Sequence, residues 1–191
     1  MTASTARYLG YNLVTAYLQY NVASTVTEIQ WFFANKFEMK SDTEDLVFEG
    51  DGNKKHVYLT SGLTVTLNGD AQNAAAISTV FGKSVVSTSV PNGGSNLLWY
   101  GDTVEAAGVA AGLRMVGSAI KDVGGVQTVV NLCVWVPLGT ATLAALGGAD
   151  TLKKWSAGAL TLSAARGTKD VGGNALPSVP AGGAMYAVYE V

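Results

Sequence analysis

The chain is expected to be mainly β, a β-sandwich or half-barrel with one short flanking helix at about residues 70–82. Three observations predict this. KHVYLTSGLTVTL (55–67) alternates with a two-residue period, Val57, Leu59, Leu63, Val65 and Leu67 facing one way and His56, Tyr58, Thr60, Thr64 and Thr66 the other. Five further segments rich in β-branched and aromatic residues are punctuated by Gly-containing turns. One stretch alone carries a set of helix signals.

The segment RYLGYNLVTAYLQY has mixed periods. Tyr8, Tyr11, Tyr17 and Tyr20 suit a three-residue spacing, Leu9, Tyr11, Leu13 and Tyr17 an alternation; the residues lean to strand, in an N-terminal arm over about 1–24. TVTEIQWFF (25–33) reads as a strand whose Trp31, Phe32 and Phe33 suit core on one face and subunit contact on the other better than a ligand platform. After 55–67, Asp70 is positioned to cap a helix AQNAAAISTVF, with Ala74, Ile77, Val80 and Phe81 as its buried stripe and Gly82-Lys83 as its end. Residues 84–111 read as a long loop with strand fragments. GLRMVGSAIK (112–121) and VQTVVNLCVWV (126–136) form a hairpin across KDVGG, closed by Pro137. A second loop covers 138–155, and strands follow at 156–166 and 184–190. KDVGG recurs at 169–173 with unrelated flanks, so it is a second turn and not a repeat.

At 191 residues one domain, 1–191, is expected. A net charge of -2 gives no global basic field for gripping nucleic acid. Only 14% of residues are charged, against roughly a quarter in ordinary soluble domains, so much of the surface is expected to be covered, most simply by other copies. Residues 123–149 hold no charge, but the alternation in 126–136 is that of a strand and not of a spanning helix. The N-terminus lacks the charged start and apolar middle of a signal peptide, so neither export nor membrane anchoring is expected.

Catalytic patterns fail on spacing. Gly82-Lys83-Ser84 has the tail of a phosphate loop, but Ile77 stands where its first glycine is needed, and no Gly-x-Gly-x-x-Gly joins a strand to a helix. In FEGDGNKKHVYL, Asp51 and Asn53 have calcium-loop spacing, but Lys55 takes the next ligand position. The single histidine, His56, has no nucleophile elbow to serve, and the single cysteine, Cys133, lies in an uncharged strand suited to packing. No enzyme activity, cofactor or metal is expected.

Charge is more informative. Glu38, Asp42, Glu44, Asp45, Glu49 and Asp51, with Lys40 the only base among them, give residues 38–51 a balance of -5, against +3 for the rest of the chain. Such a run is ordinarily a solvated loop, but repeated around a ring it makes a negative band. Lys54 and Lys55 follow at once, so one copy's acids are placed to meet the next copy's lysines.

Three stretches together resemble the major tail (tail tube) proteins of long-tailed bacteriophages with non-contractile tails: DLVFEGDGNKKHVYLTSGLTVTLNGDAQNAAAISTVFGK, the hairpin GLRMVGSAIKDVGGVQTVVNLCVWVP, and SAGALTLSAARGTKDVGGNALPSVPAGGAMYAVYEV. They cover a little over half of the chain, and order and spacing carry the likeness. The resemblance implies a tail-tube β-sandwich or half-barrel that self-assembles into six-membered rings, stacked around a tape-measure protein. It also implies contacts with tail-end proteins, transient and non-specific passage of DNA, and a place in the virion tail after synthesis in the bacterial cytoplasm. Glu38, Asp42, Glu44, Asp45, Glu49 and Asp51 are then candidates for the bore or an inter-ring surface, and Lys54, Lys55, Trp31 and Phe33 for subunit contacts. Other expectations are a capsid decoration or tail-terminator protein, or a glycan-binding module using Trp31, Trp99 or Trp135.

Overall fold

The computed structural model describes residues 7–31, 34–50, 53–69, 74–81, 85–86, 97–98, 108–143 and 157–191. Its main element is one antiparallel sheet in the order β2-β1-β7-β8-β9-β4-β3, with β10 pairing β8 off that path. The strands are β1 (Arg7–Val22), β2 (Thr25–Trp31), β3 (Ala34–Gly50), β4 (Asn53–Gly69), β7 (Val109–Val123), β8 (Val126–Leu143), β9 (Ala157–Ala164) and β10 (Ala187–Glu190). A separate two-stranded ribbon joins β5 (Val85–Val86) to β6 (Leu97–Leu98), and one helix, α1, runs Ala74–Phe81.

The expected N-terminal arm is corrected. Residues 7–22 form a strand inside the sheet, hydrogen-bonded to β2 on one side and β7 on the other. Its mixed period has a cause: the β1–β7 register slips between Leu9 and Asn12 and between Leu13 and Thr15. Each slip changes which parity faces inward, so Tyr11 and Leu13 meet the core before it and Ala16, Leu18 and Tyr20 after it.

Two loop boundaries are also corrected. Residues 109–111 belong to β7, and 138–143 belong to β8. Pro137 does not end β8, because the register shifts there, Leu113 facing Val136 and Ala111 facing Gly139, and a proline lacking N–H is accommodated at a bulge. Its carbonyl accepts a hydrogen bond from Val171 N at 3.0 Å. β4 is likewise not one alternation: Gly62 pairs with Asp42 and Thr60 with Thr43, leaving Ser61 as the extra residue.

The core lies on one face of the sheet. Leu63, Val65, Leu67, Leu113, Met115, Val136, Leu160 and Leu162 are all but fully buried, and Ile77 and Val80 of α1 pack on them. Ala76 completes the helix's buried side with Phe81 partly buried; Asp70 and Gly82, its expected cap and end, lie outside the described residues. The sheet curls until β1 reaches the far edge strand β3, where the Tyr11 ring meets Phe37 edge-on at 5.4 Å and 86°. Both KDVGG segments are turns. Gly124 and Gly125, at φ 61° and 89°, close the β7–β8 hairpin, and the Asp170 carboxylate accepts from Gly172 N and Asn174 N at 2.9 Å in the second.

Candidate functional site

Alternation on β8, β9, β4 and β3 builds two opposite surfaces. One parity pairs Ala141 with Leu162, Val65 and Met39, all core. The other aligns Thr140, Ser163, Thr64 and Lys40 in one cross-strand row and Thr142, Thr161, Thr66 and Glu38 in the next. The result is a hydroxyl-rich face about 15 Å across, at roughly 4.8 Å per strand spacing, ending on a charged edge strand. Glu38, Lys40 and Asp42 are exposed.

The expected acidic residues thus fall on strand β3 and not on a loop, with the exception of Asp51, which lies outside the described residues. Glu44, Asp45 and Glu49 take register positions opposite Leu59, Tyr58 and Lys54. In the β3–β4 register Lys54 stands opposite Glu49 and Lys55 opposite Phe48. Trp31 is 3% exposed in the core, so the subunit-contact reading of its side chain is corrected. Phe33 and Trp99 lie outside the described residues.

A second surface, on the other side of the sheet from the core, was not anticipated. Gln19 and Glu28 are cross-strand partners on β1 and β2, as are Tyr17 and Arg114 on β1 and β7, and Arg114 and Trp135 on β7 and β8. Gln19 is the one buried polar side chain among the described residues. Its amide donates to Glu28 Oε1 and its carbonyl accepts from Trp135 Nε1, each at 2.8 Å. Arg114 grips the Glu28 carboxylate twice, Nε at 2.7 Å and Nη2 at 2.6 Å, while its guanidinium lies 4.4 Å from the Tyr17 ring centre. Arg114 holds the Glu28 carboxyl below its ordinary range, and Glu28 raises the guanidinium in return. Gly112 makes room for this: a Cβ there would come within 2.7 Å of Gln19 Oε1 and 2.9 Å of the Pro137 carbonyl. The excursion 165–186 overhangs these residues, and with Trp135, Tyr186, Pro177 and Pro180 they line a groove of about 690 Å³. The only sequence signal was a lone Gln, Glu and Arg, each within an apolar strand.

At the opposite end of β7 the sheet projects beyond the core. Leu9, Ile120 and Val129 stand side by side on β1, β7 and β8 and are 48%, 41% and 77% exposed. Beside them β10 is tied down by Glu190, which accepts from Tyr8 Oη and from Lys121 Nζ, both at 2.5 Å. Lys121 first, then Tyr8, holds the Glu190 carboxyl below its ordinary range. Cys133, opposite Tyr189 in β10, is fully buried.

No family model and no curated protein matches the chain. Among the described residues no helix is long and apolar enough to cross a membrane, and no group of three or more His, Cys, Asp or Glu is placed to hold a metal ion.

Proposed function

We propose that this chain is a structural, self-assembling subunit of the phage tail tube kind, built on a tail-tube β-sandwich or half-barrel. The observation that carries self-assembly is the row Leu9, Ile120 and Val129. Three aliphatic side chains in register on adjacent strands remain in water, beside an uncharged β8 segment, VQTVV, that pairs only with β7 among the described residues over 126–130. An exposed apolar strand edge without charge, proline or bulge is a template for association. The resemblance of the sequence to tail tube proteins supplies the kind of assembly. In that reading the hydroxyl face with Glu38 and Asp42 turns to the bore, where the carboxylates repel passing DNA, and tape-measure and tail-end proteins are the further partners. The same reading places the protein in the virion tail and gives it no catalytic role.

Sedimentation and negative-stain imaging test this. The wild type is expected to form rings or tubes with rising concentration, and Val129→Lys, at a site 77% exposed, to remain monomeric and folded. A wild type that stays monomeric at high concentration, with neither rings nor tubes, ends the proposal. Assembly that stops at one ring instead favours a tail terminator, and binding only to a capsid lattice a decoration protein. A second reading, a glycan-binding module, is favoured by the aromatic groove at Trp135; monomer binding on a glycan array decides for it.

A further inference from the structure

We infer that the edge of β8 over residues 126–130 pairs antiparallel with the same five residues of a second copy, giving a two-fold dimer centred on Thr128. The inference starts from the exposed edge invoked above but does not need the tube: a two-fold contact closes on two copies, whereas a tube grows.

The ladder fixes which backbone groups face outward. Gly124 and Gly125, both at positive φ, make the two-residue turn that brings Val123 and Val126 together as a hydrogen-bonded pair. The register then runs unbroken from the turn to Asn131. Val126, Thr128 and Val130 exchange bonds with β7, so Gln127, Val129 and Asn131 turn their N–H and C=O away from it. Asn131 confirms the parity, because its outward carbonyl accepts from Val191 N at 3.0 Å, just past the end of β10. From there to the turn, no strand among the described residues pairs with the outer side of β8. Gln127 and Val129 thus present two donors and two acceptors, with Val126 and Val129 66% and 77% exposed. An edge of this kind is completed by an added β-strand.

Charge and register select the strand. Residues 123–131 carry no charge, so the segment lies against itself without like-charge repulsion, whereas β2 and β3, which end the sheet, carry Glu28 and the acidic run. Antiparallel pairing about Thr128 also matches the bonding pattern. Gln127 meets Val129 of the second copy, outward groups to outward groups, for four hydrogen bonds across the two-fold axis. Val126 meets Val130 and Thr128 meets its own copy at the intervening positions, as apolar and hydroxyl cross-strand pairs. The length fits as well. The five open positions end at the level of Val191, and the second copy's five residues end at its own turn, where a Cβ on Gly124 or Gly125 would touch nothing. Five residues a copy make a small interface, of the weak and reversible class.

Disulfide capture in the full chain tests the contact, with circular dichroism confirming the fold of each variant. Thr128→Cys in a Cys133→Ala background sets the new thiols on opposed Cα atoms about 4.5 Å apart, within the span of a disulfide. Mild oxidation is expected to convert most of this variant to a covalent dimer. Val130→Cys in the same background is expected to stay uncrosslinked, its two copies lying roughly 13 Å apart along the strands. With Cys133 in place, Val129→Pro removes an outward donor and leaves the β7 ladder intact. Sedimentation below the concentration of larger assemblies is expected to show its dimer dissociation constant raised at least tenfold. The inference is overturned if Thr128→Cys crosslinks no more than Val130→Cys, or if Val129→Pro dimerises like the wild type. Rings or tubes that form without the Thr128 crosslink overturn this contact and leave the proposed function standing. A Thr128 crosslink in a protein that builds neither rings nor tubes does the reverse. A wild type that is monomeric at every concentration removes both.

Discussion

Glu28→Gln isolates the polar cluster behind the sheet. The carboxylate receives two short hydrogen bonds from Arg114 and one from Gln19. A hydrogen bond to a charged group contributes about 1.5–3 kcal/mol when buried, an exposed ion pair about 0–1. The Arg114 and Glu28 side chains are 24% and 31% exposed, so the pair lies between these limits after solvent screening. The neutral amide keeps an acceptor but loses the charge and one oxygen, and a loss of about 1–2 kcal/mol is expected, or about 2–8 °C in Tm for a chain of this size. The pH dependence carries a sign. Because the folded carboxyl is depressed, its stabilisation is complete above the unfolded carboxyl value of 4.5 and disappears as pH falls through the folded value. Thermal unfolding by circular dichroism, below the assembly concentration, is therefore expected to show a gap between wild type and Glu28→Gln at pH 7 that closes toward pH 3. Equal stabilities at pH 7, or a gap of constant size down to pH 3, would refute the reasoning.

Gly112→Ala is expected to be destabilising by about 1–3 kcal/mol, since the new methyl meets Gln19 and two carbonyls; a denaturation midpoint within error of wild type would show that the cluster moves freely aside. The β1–β2 turn uses Ala23 and Ser24 at φ 48° and 67°, a conformation that glycine and asparagine adopt with less strain, so Ala23→Asn with Ser24→Gly is expected to raise stability by about 1 kcal/mol, read as an upward Tm shift. Glu190→Gln loosens β10 over Cys133, and thiol labelling at neutral pH is expected to accelerate several-fold; an unchanged rate would mean that Glu190 does not hold the strand. Tyr11, whose hydroxyl donates to the Met115 carbonyl, has its phenol pushed up to about 12 by burial, so absorbance titration should find it still protonated at pH 11 and ionised in the Tyr11→Phe difference spectrum only above that.

Legibility in the sequence followed the distance over which its causes act. The helix, the strands around 55–67 and 126–136, and the Gly124-Gly125 hairpin were readable because alternation and turn chemistry involve residues a few positions apart. The misreadings lie where one strand slips against another. The bulges in β1 blurred its period, the bulge at Pro137 let β8 continue to Leu143, and Ser61 broke an alternation that had looked continuous. A bulge is a property of a strand and its partner, and the partner is distant in sequence.

The same division separates the candidate surfaces. The acidic run and its imbalance were plain from composition, and so was the hydroxyl parity of Thr64 and Thr66. What alternation alone could not provide was the alignment of Thr64 with Ser163 and Thr140, which needs three strands in register. Gln19, Glu28, Arg114 and Trp135 were each unremarkable in their own strands and became one network only across three ladders. The sequence by itself therefore determined the β class, the local turns, the parity of strand stretches free of bulges, such as 63–67, and the charge asymmetry, all set by near-neighbour sterics and by which side chains prefer water. Tertiary structure alone decided which parities face each other and which charges, such as Glu28 with Arg114 and Glu190 with Lys121, are neutralised within the chain, because register couples residues that no local preference connects.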